Sequence, residues 1–173
     1  MHDVVGGSHP SAVRVAGQSM NSTGSTMFGF GSIFVIDNSL TAIPDANSTL
    51  IGRAQGLYAI SSQQNELSLL MTLTYNFVSG IYNGSSLSIV GRNPVMNEVR
   101  EMPVVGGTGV FRLARGFALA KTHSMDQVVD IFEVFSGEDG DFEIEWFGRW
   151  MVSGVGRHGG GRSQVIISWM SSW

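Results

Sequence analysis

The chain has 173 residues and a net charge of −4; 43% of its residues are hydrophobic and only 14% are charged. This length allows one ordinary domain, or one domain plus a tail. The acidic balance excludes a strongly basic nucleic-acid-binding surface. The absence of cysteine excludes a disulfide framework, a thiolate metal site and a cysteine nucleophile.

The first part of the chain contains short apolar segments rich in β-branched residues, separated by turn residues. In chain order, strands are predicted over residues 32–37, 56–60, 67–78, 87–91, 102–105, 112–121 and 127–135. The predicted turns between them are Asp37-Asn38, Pro44-Asp45, Asn83-Gly84, Asn93-Pro94 and Gly106-Gly107. Strands at this spacing predict an all-β sandwich or a closed barrel. No apolar run reaches about 18 residues, so no membrane-spanning helix and no membrane partner are expected.

The composition changes sharply near residue 136. Residues 1–125 carry six acidic and seven basic side chains, whereas residues 126–173 carry eight acidic and three basic ones. All four tryptophans lie between residues 146 and 173. We therefore predict a folded domain over residues 1–135 and an irregular, glycine- and tryptophan-rich tail over residues 136–173.

The glycine-rich segments lack the residues that would bind a nucleotide. Residues 29–31 lack the third glycine of a dinucleotide fingerprint, and residues 104–109 lack the Gly-Lys-Ser/Thr of a phosphate loop. A bent strand start and a corner between two strands are the expected structures. The four histidines show no metal-binding spacing, and the short basic segment 157–162 is preceded by acidic residues. The sequence therefore predicts no cofactor, no metal and no nucleic-acid partner.

Three Asn-x-Ser/Thr sequons, at Asn21, Asn47 and Asn83, all fall in predicted loops. Lys121 is the only lysine, so a surface poor in lysine needs another source of solubility. Together these features favour a secreted glycoprotein. The first ten residues carry no signal peptide, so the sequence either begins inside a longer precursor or belongs to an intracellular protein.

A few polar residues are embedded in the apolar segments. Paired surface charges or strand ends explain most such residues. An inward-facing set of aspartate and arginine, however, is costly unless it is paired or used, and polar groups in the apolar mouth of a barrel are typical of small-molecule sites. The residues in question are Asp3, Asp37, Arg53, Tyr58, Arg100, Arg112 and Arg115.

The chain resembles the plant dirigent proteins through five segments in the family's order. They are His2-Asp3-Val4, FGSIFVIDNSLT ending at Thr41, LIGRAQGLY (50–58), YNGSSLSIVGRNPV (82–95) and VREMPVVGGTGVFRLARGFALAKT (99–122). The resemblance implies an eight-stranded antiparallel β-barrel of the allene oxide cyclase type, assembled as a homotrimer or homodimer in the apoplast. In the family the first strand begins before the His-Asp pair, so a truncated first strand is expected here.

The resemblance also implies how such a barrel works. A separate oxidase such as a laccase makes phenoxy radicals from monolignols of the coniferyl alcohol type, and the barrel directs their stereoselective coupling in lignan formation. Some relatives instead act on quinone-methide-like intermediates derived from isoflavanols and close pterocarpan rings, as true dehydratases. A third possibility is a non-catalytic barrel whose tail binds a partner.

Five candidate site residues follow from the matching motifs and the embedded polar residues. Asp3 is the candidate acid, and Arg100 is a candidate for stabilising the phenol or for pairing with an acid. Tyr58, Asn93 and Asp37 are candidate substrate-binding residues. Asn93 departs from the family pattern, since pinoresinol-forming members carry aspartate there, and an amide does not deliver a proton as a carboxylic acid does. This departure disfavours lignan cyclisation and leaves another coupling product or a pterocarpan-type role open.

Overall fold

The computed structural model describes residues 1–19, 26–63, 66–125 and 129–135, without the side chains of residues 125 and 129–135. The predicted tail and the sequon at Asn21 lie outside these residues. Within these residues the only helical elements are two 3₁₀ turns, Gly80–Tyr82 and Gly109–Phe111, and the other regular elements are strands. The strands are β1 (His2–Val4), β2 (Ala12–Ala16), β3 (Ile33–Thr41), β4 (Leu50–Ile60), β5 (Ser68–Phe77), β6 (Ser86–Pro94), β7 (Arg100–Thr108), β8 (Gly116–Met125) and β9 (Val129–Phe135).

The strand pairings form one antiparallel ring. From β2 to β9 each strand pairs with the next in the chain, and β1 pairs with both β9 and β3. Along one edge of β3, His2 pairs with Ser39 and Ala12 pairs with Ile36, so β1 and β2 together occupy one position. Nine strand segments therefore fill eight positions, which confirms the predicted eight-stranded antiparallel β-barrel. No helix in the described part of the chain is long and apolar enough to cross a membrane.

Ser11 fixes the break between β1 and β2. Its backbone N–H donates to the Val4 carbonyl oxygen at 2.9 Å, and its carbonyl oxygen accepts from the Asp37 N–H at 2.8 Å. Its hydroxyl oxygen also accepts from the Val4 N–H at 3.0 Å. Gly7, with φ of +79°, and Pro10 make a continuous strand unfavourable between these points. The chain therefore leaves the barrel wall after Val4 and returns at a position determined by hydrogen bonds.

Alternation along the strands separates the inner face from the outer face. In one register row Phe34, Tyr58 and Met71 face inward and are nearly fully buried. In the next row Val35 and Leu57 face outward and are 49% and 38% exposed. Burial of each large inward side chain contributes about 1.5–3 kcal/mol, so the apolar interior is the main source of stability.

Three of the predicted turns are wrong. Asn93 and Pro94 are the last two residues of β6, and the chain turns only after them. Asp37 and Asn38 lie inside β3, and Gly106 and Gly107 lie inside β7. Asp-Asn and Gly-Gly favour turns locally, but pairing with the neighbouring strands overrides that preference here. The reverse error occurs at residues 112–115, predicted as strand, where Leu113 adopts a φ of +67° and β8 starts only at Gly116.

The sequons in the described residues do lie in exposed turns. Asn47 belongs to the β3–β4 connection, and Asn83 follows the first 3₁₀ turn in the β5–β6 connection. The predicted β5–β6 hairpin is confirmed, with Gly84 at φ +79° where a positive φ favours glycine. β1 and β2 were not predicted from their composition, because glycines and a proline surround these short strands.

Candidate functional site

Very few charged side chains are buried in this barrel. Asp3 is 3% exposed and Arg100 is 2% exposed. Among the residues whose burial the structure describes, they are the only buried carboxyl and the only buried guanidinium. Two amides, Asn38 at 0% and Asn93 at 1% exposure, accompany them. Because a buried charge without hydrogen bonds is strongly unfavourable, the contacts of these four residues define the candidate site.

Asp3 lies in β1 and is held by its neighbour on β3. Nδ2 of Asn38 donates to Oδ1 of Asp3 at 3.1 Å. On its other side, Oδ1 of Asn38 accepts a hydrogen bond from the Ser11 hydroxyl at 2.6 Å. The carboxyl is therefore anchored from the barrel wall through two successive side-chain hydrogen bonds.

Arg100 opens β7 and is held by residues that precede it. Its Nε donates to Oδ1 of Asn93 at 3.1 Å, and its Nη1 donates to the Asn97 carbonyl oxygen at 3.2 Å. Nδ2 of Asn93 lies 3.0 Å from the sulfur of Met71. Burial lowers the pKa of Arg100 below its ordinary value, yet a guanidinium stays protonated at neutral pH. This part of the site is therefore a fixed positive charge held by a neutral amide.

A column of aromatic rings leads from the surface to this region. Phe28, which is 40% exposed, stacks on Phe34 with ring centroids 5.6 Å apart. Phe34 stacks in turn on Tyr58 at 4.9 Å, and Tyr58 pairs directly with Met71 across β4 and β5. Such rings offer an apolar surface that a phenolic ring can pack against. Tyr58 is thus the innermost ring of the column, and its neighbour Met71 contacts Asn93.

Thr122 is a further polar residue that the sequence analysis missed. It lies two residues after Ala120, which pairs with Arg100, and so it belongs to the same face of β8. Its hydroxyl oxygen is buried and has no hydrogen-bond partner within the described part of the chain. The sequence alone gives no signal for this position, because the pairing of Ala120 with Arg100 is visible only in the folded sheet.

Asp37 is not brought together with Asp3. It faces outward and forms an ion pair with Arg53 at 2.5 Å, with side chains 51% and 37% exposed. Both residues line an external cleft of about 750 Å³, together with His2, Val13 and Val35. Arg112 and Arg115 are also exposed, on the β7–β8 connection. This cleft lies on the outer face, whereas the buried acid and the buried cation face the barrel interior, and the interior is therefore the candidate site.

His2 lies next to Asp3 in the chain but makes its own contact. Its Nε2 is 2.6 Å from the Thr41 hydroxyl, which itself donates to the Ile43 carbonyl oxygen. Nε2 is therefore the donor, and Nδ1 is buried without a hydrogen-bond partner among the described residues. Burial, followed by the positive charge of the chain's amino terminus, lowers the pKa of His2 below its ordinary value of 6.5. No group of three or more acidic or histidine side chains in the described residues is arranged to hold a metal.

We predict that acid destabilises the barrel through His2. Since its folded-state pKa is lowered, the unfolded chain binds a proton more readily, and stability falls as the pH drops below the ordinary value of 6.5. The melting temperature of His2→Gln, which keeps a donor for Thr41, should therefore fall less than that of the wild type between about pH 7 and about pH 5. Calorimetry of both proteins across this range tests this, and parallel curves would contradict it.

Comparison with known proteins places this site in a family context. A family model described as Dirigent-like protein matches residues 1–135. Dirigent protein 7 of Arabidopsis thaliana is 49% identical over 126 residues, covering 73% of this chain and 64% of that protein. Pterocarpan synthase 1 of Glycyrrhiza echinata is 48% identical over 126 residues, covering 72% of this chain and 65% of that protein. The chain thus spans slightly less than two thirds of the length of these relatives.

Two solved structures share the fold and much of the sequence. Both are pterocarpan synthase dirigent proteins. The first superposes with a TM-score of 0.69 at 44% identity and covers 77% of this chain and 86% of that one. The second gives a TM-score of 0.68 at 45% identity and covers 76% and 80%.

Proposed function

Because the chain belongs to the dirigent family, we propose that its barrel interior binds a phenolic intermediate and that Asp3 catalyses a dehydrative ring closure. The observation that carries this proposal is Asp3, the one carboxyl found buried among the residues whose burial the structure describes, which Asn38 holds by a hydrogen bond. Relatives named pterocarpan synthase, at 46–48% identity, support this class of reaction. The substrate class is an isoflavan-4-ol that carries a free 2′-phenol.

One carboxyl suffices for this chemistry. Protonated Asp3 donates its proton to the alcohol oxygen at C4, the C–O bond breaks, and water leaves. The phenolic oxygen of the substrate then forms a bond to C4, and its proton returns to the Asp3 carboxylate. One water is lost, the acid is regenerated, and no electron is gained or lost.

Arg100 and the aromatic residues supply charge stabilisation and orientation. As the C–O bond breaks, electron density from a ring phenol oxygen delocalises toward C4, and that phenol becomes more acidic. A nearby guanidinium favours its phenolate form. Asn93 holds Arg100 at 3.1 Å without cancelling its charge, as an aspartate at this position would. Tyr58 and Phe34 offer faces against which the substrate rings pack.

Stereodirected coupling of phenoxy radicals is the second candidate function. It is favoured by relatives named dirigent protein, which are 40–49% identical to this chain. A separate oxidase such as a laccase would supply the radicals, and the barrel would only favour one pairing. A difference of about 1.4 kcal/mol between two pairings gives tenfold selectivity. Only this candidate function depends on the oxidase.

We predict that Asp3→Asn abolishes ring closure. The amide has the same shape but no acidic proton, so kcat should fall by about 10²- to 10⁴-fold. Glu101→Gln is the matched control, because Glu101 follows Arg100 on β7 but faces outward and is exposed. The assay incubates each protein with the isoflavan-4-ol, without an oxidase, and separates the products by chiral chromatography.

The same assay distinguishes the two candidates. Turnover by wild type and Glu101→Gln, but not by Asp3→Asn, is the expected result. The opposite result would be no turnover without oxidase and an enantiomeric excess in the products from coniferyl alcohol and a laccase. It would contradict ring closure and support radical coupling as the function. No turnover without oxidase, together with racemic coupling products from coniferyl alcohol and a laccase, would contradict both candidates if the protein is folded.

We also propose that the protein self-associates through its outer face. Four apolar side chains lie in one register row across β2 to β6 and are 37–52% exposed: Val13, Val35, Leu57 and Val90. Thr72 completes this row, which carries no charge. A continuous uncharged row on the outer face of the sheet suits contact with a second copy of the same surface.

Leu57→Glu should therefore lower the oligomeric state measured by analytical ultracentrifugation, because it places a charge at the centre of the row. Ile81→Glu is the matched control, since Ile81 is 80% exposed on a turn outside the row. A monomeric wild type, or equal association of all three proteins, would contradict the proposal.

We also propose that the protein is secreted and carries glycans on Asn47 and Asn83, which are both exposed. Mass spectrometry of the plant-expressed protein tests this.

A further inference from the structure

Ser11 and Asn38 connect the barrel wall to the proposed acid. We propose that Asn38, fixed in orientation by Ser11, is a positioning residue that determines which oxygen of Asp3 carries the acidic proton. The inference rests on the proposed function in one respect: the proposed ring closure is the reaction that uses this proton. The hydrogen-bond chain itself is a property of the folded protein.

The direction of each hydrogen bond follows from the donors. The Ser11 hydroxyl oxygen accepts from the Val4 N–H at 3.0 Å, so its single proton remains for one acceptor. Oδ1 of Asn38 lies 2.6 Å away, whereas the alternative acceptor, the His2 carbonyl oxygen, lies 3.4 Å away. The proton therefore goes to Asn38. Because Oδ1 faces Ser11, the Nδ2 group of Asn38 must face Asp3.

This orientation makes the two oxygens of Asp3 different. Oδ1 accepts the N–H of Asn38 at 3.1 Å. A carboxylic acid has one hydroxyl and one carbonyl oxygen, and an N–H donor binds the carbonyl oxygen. In the acid form the proton therefore resides on Oδ2, so Asn38 selects the oxygen that delivers it. A reversed amide would present its own oxygen to Asp3 and would attract the acidic proton away from the substrate.

The residues around Asn38 and Asp3 limit how the Asn38 amide can turn and which other groups can affect the Asp3 carboxyl. Asn38 is fully buried within β3, and the backbone of Ser11 bonds to Val4 and to Asp37. In the β1–β9 register, the residue opposite Asp3 is Asp130. The other charged or titratable groups on β1 and β3 are His2, bonded to Thr41, and Asp37, which pairs with Arg53 on the outer face.

Removal of the Asn38 donor should change the titration of Asp3. A donor to the charged form favours the carboxylate, so its loss favours the acid. In ¹³C NMR of aspartate carboxyl carbons, with Asp3→Asn used for assignment, the Asp3 midpoint should move upward by about one pH unit in Asn38→Leu. Ser11→Ala should move the Asp3 midpoint in the same direction, because without the Ser11 hydroxyl the side-chain amide of Asn38 is free to reverse. Ser11→Thr, which keeps the hydroxyl, should restore it.

Ser86→Ala is the matched control for loss of a buried hydroxyl. Ser86 is 9% exposed and bonds to the Thr108 hydroxyl at 2.7 Å, away from the Asp3 contacts. It should leave the Asp3 midpoint unchanged. If Asn38→Leu does not fold, Ser11→Ala and Ser11→Thr carry the same comparison. An unchanged midpoint in the folded variants, or an equal change in Ser86→Ala, would overturn the proposal.

Kinetics show whether the orientation serves catalysis. In the ring-closure assay Asn38→Leu and Ser11→Ala should lower kcat by about 10- to 100-fold with KM within about twofold. The alkaline limb of the pH–rate profile should move upward with the NMR midpoint. If the Asp3 midpoint moves in the variants as expected but the wild type shows no turnover, the proposed ring closure is contradicted and the Asn38 orientation still holds. If the variants are active, and neither the Asp3 midpoint nor the alkaline limb of the pH–rate profile moves, only the proposed orientation is contradicted.

Discussion

The hydrogen bond between Asn38 and Asp3 is the interaction on which the proposed chemistry depends. An isolated carboxyl inside an apolar barrel is strongly unfavourable, and the 3.1 Å contact from Nδ2 gives this carboxyl a fixed donor. The Ser11 hydroxyl then fixes the amide from the opposite side. Placement of one acid in the interior is thus inseparable from the way β1 breaks after Val4 and β2 begins beyond Ser11.

Strand alternation then separates two surfaces with different properties. Inside, Asp3 and Arg100 are each held by a neutral amide, and aromatic rings extend from Tyr58 toward the surface. Outside, Asp37 and Arg53 pair with each other beside an uncharged row of apolar side chains. Adjacent residues such as Asp37 and Asn38 therefore contribute to opposite faces of one wall. The inner face suits chemistry on a phenolic molecule, and the outer face suits association between copies.

The barrel was predictable from the sequence, but the details of the site were only partly so. Repeated β-branched segments and the matching motifs predicted the fold, and the motif around His2-Asp3-Val4 predicted the candidate acid. The local preference of Asp-Asn for turns concealed the role of Asn38. Its partners, Asp3 and Ser11, lie 35 and 27 residues away in the chain, so only the β1–β3 register brings them together. Asp37 was grouped with the site for its charge, although alternation directs it outward.

The most direct test is to locate the bound phenolic molecule. An isoflavan that lacks the C4 hydroxyl binds without reacting, and methyl NMR follows its titration at Met71 and Met102 inside the barrel and at Val13 and Val35 outside it. Saturable shifts at the two methionines, with the two valines unchanged, are the predicted result. Shifts at the valines with the methionines unchanged would place the ligand in the outer cleft and contradict an active site built around Asp3.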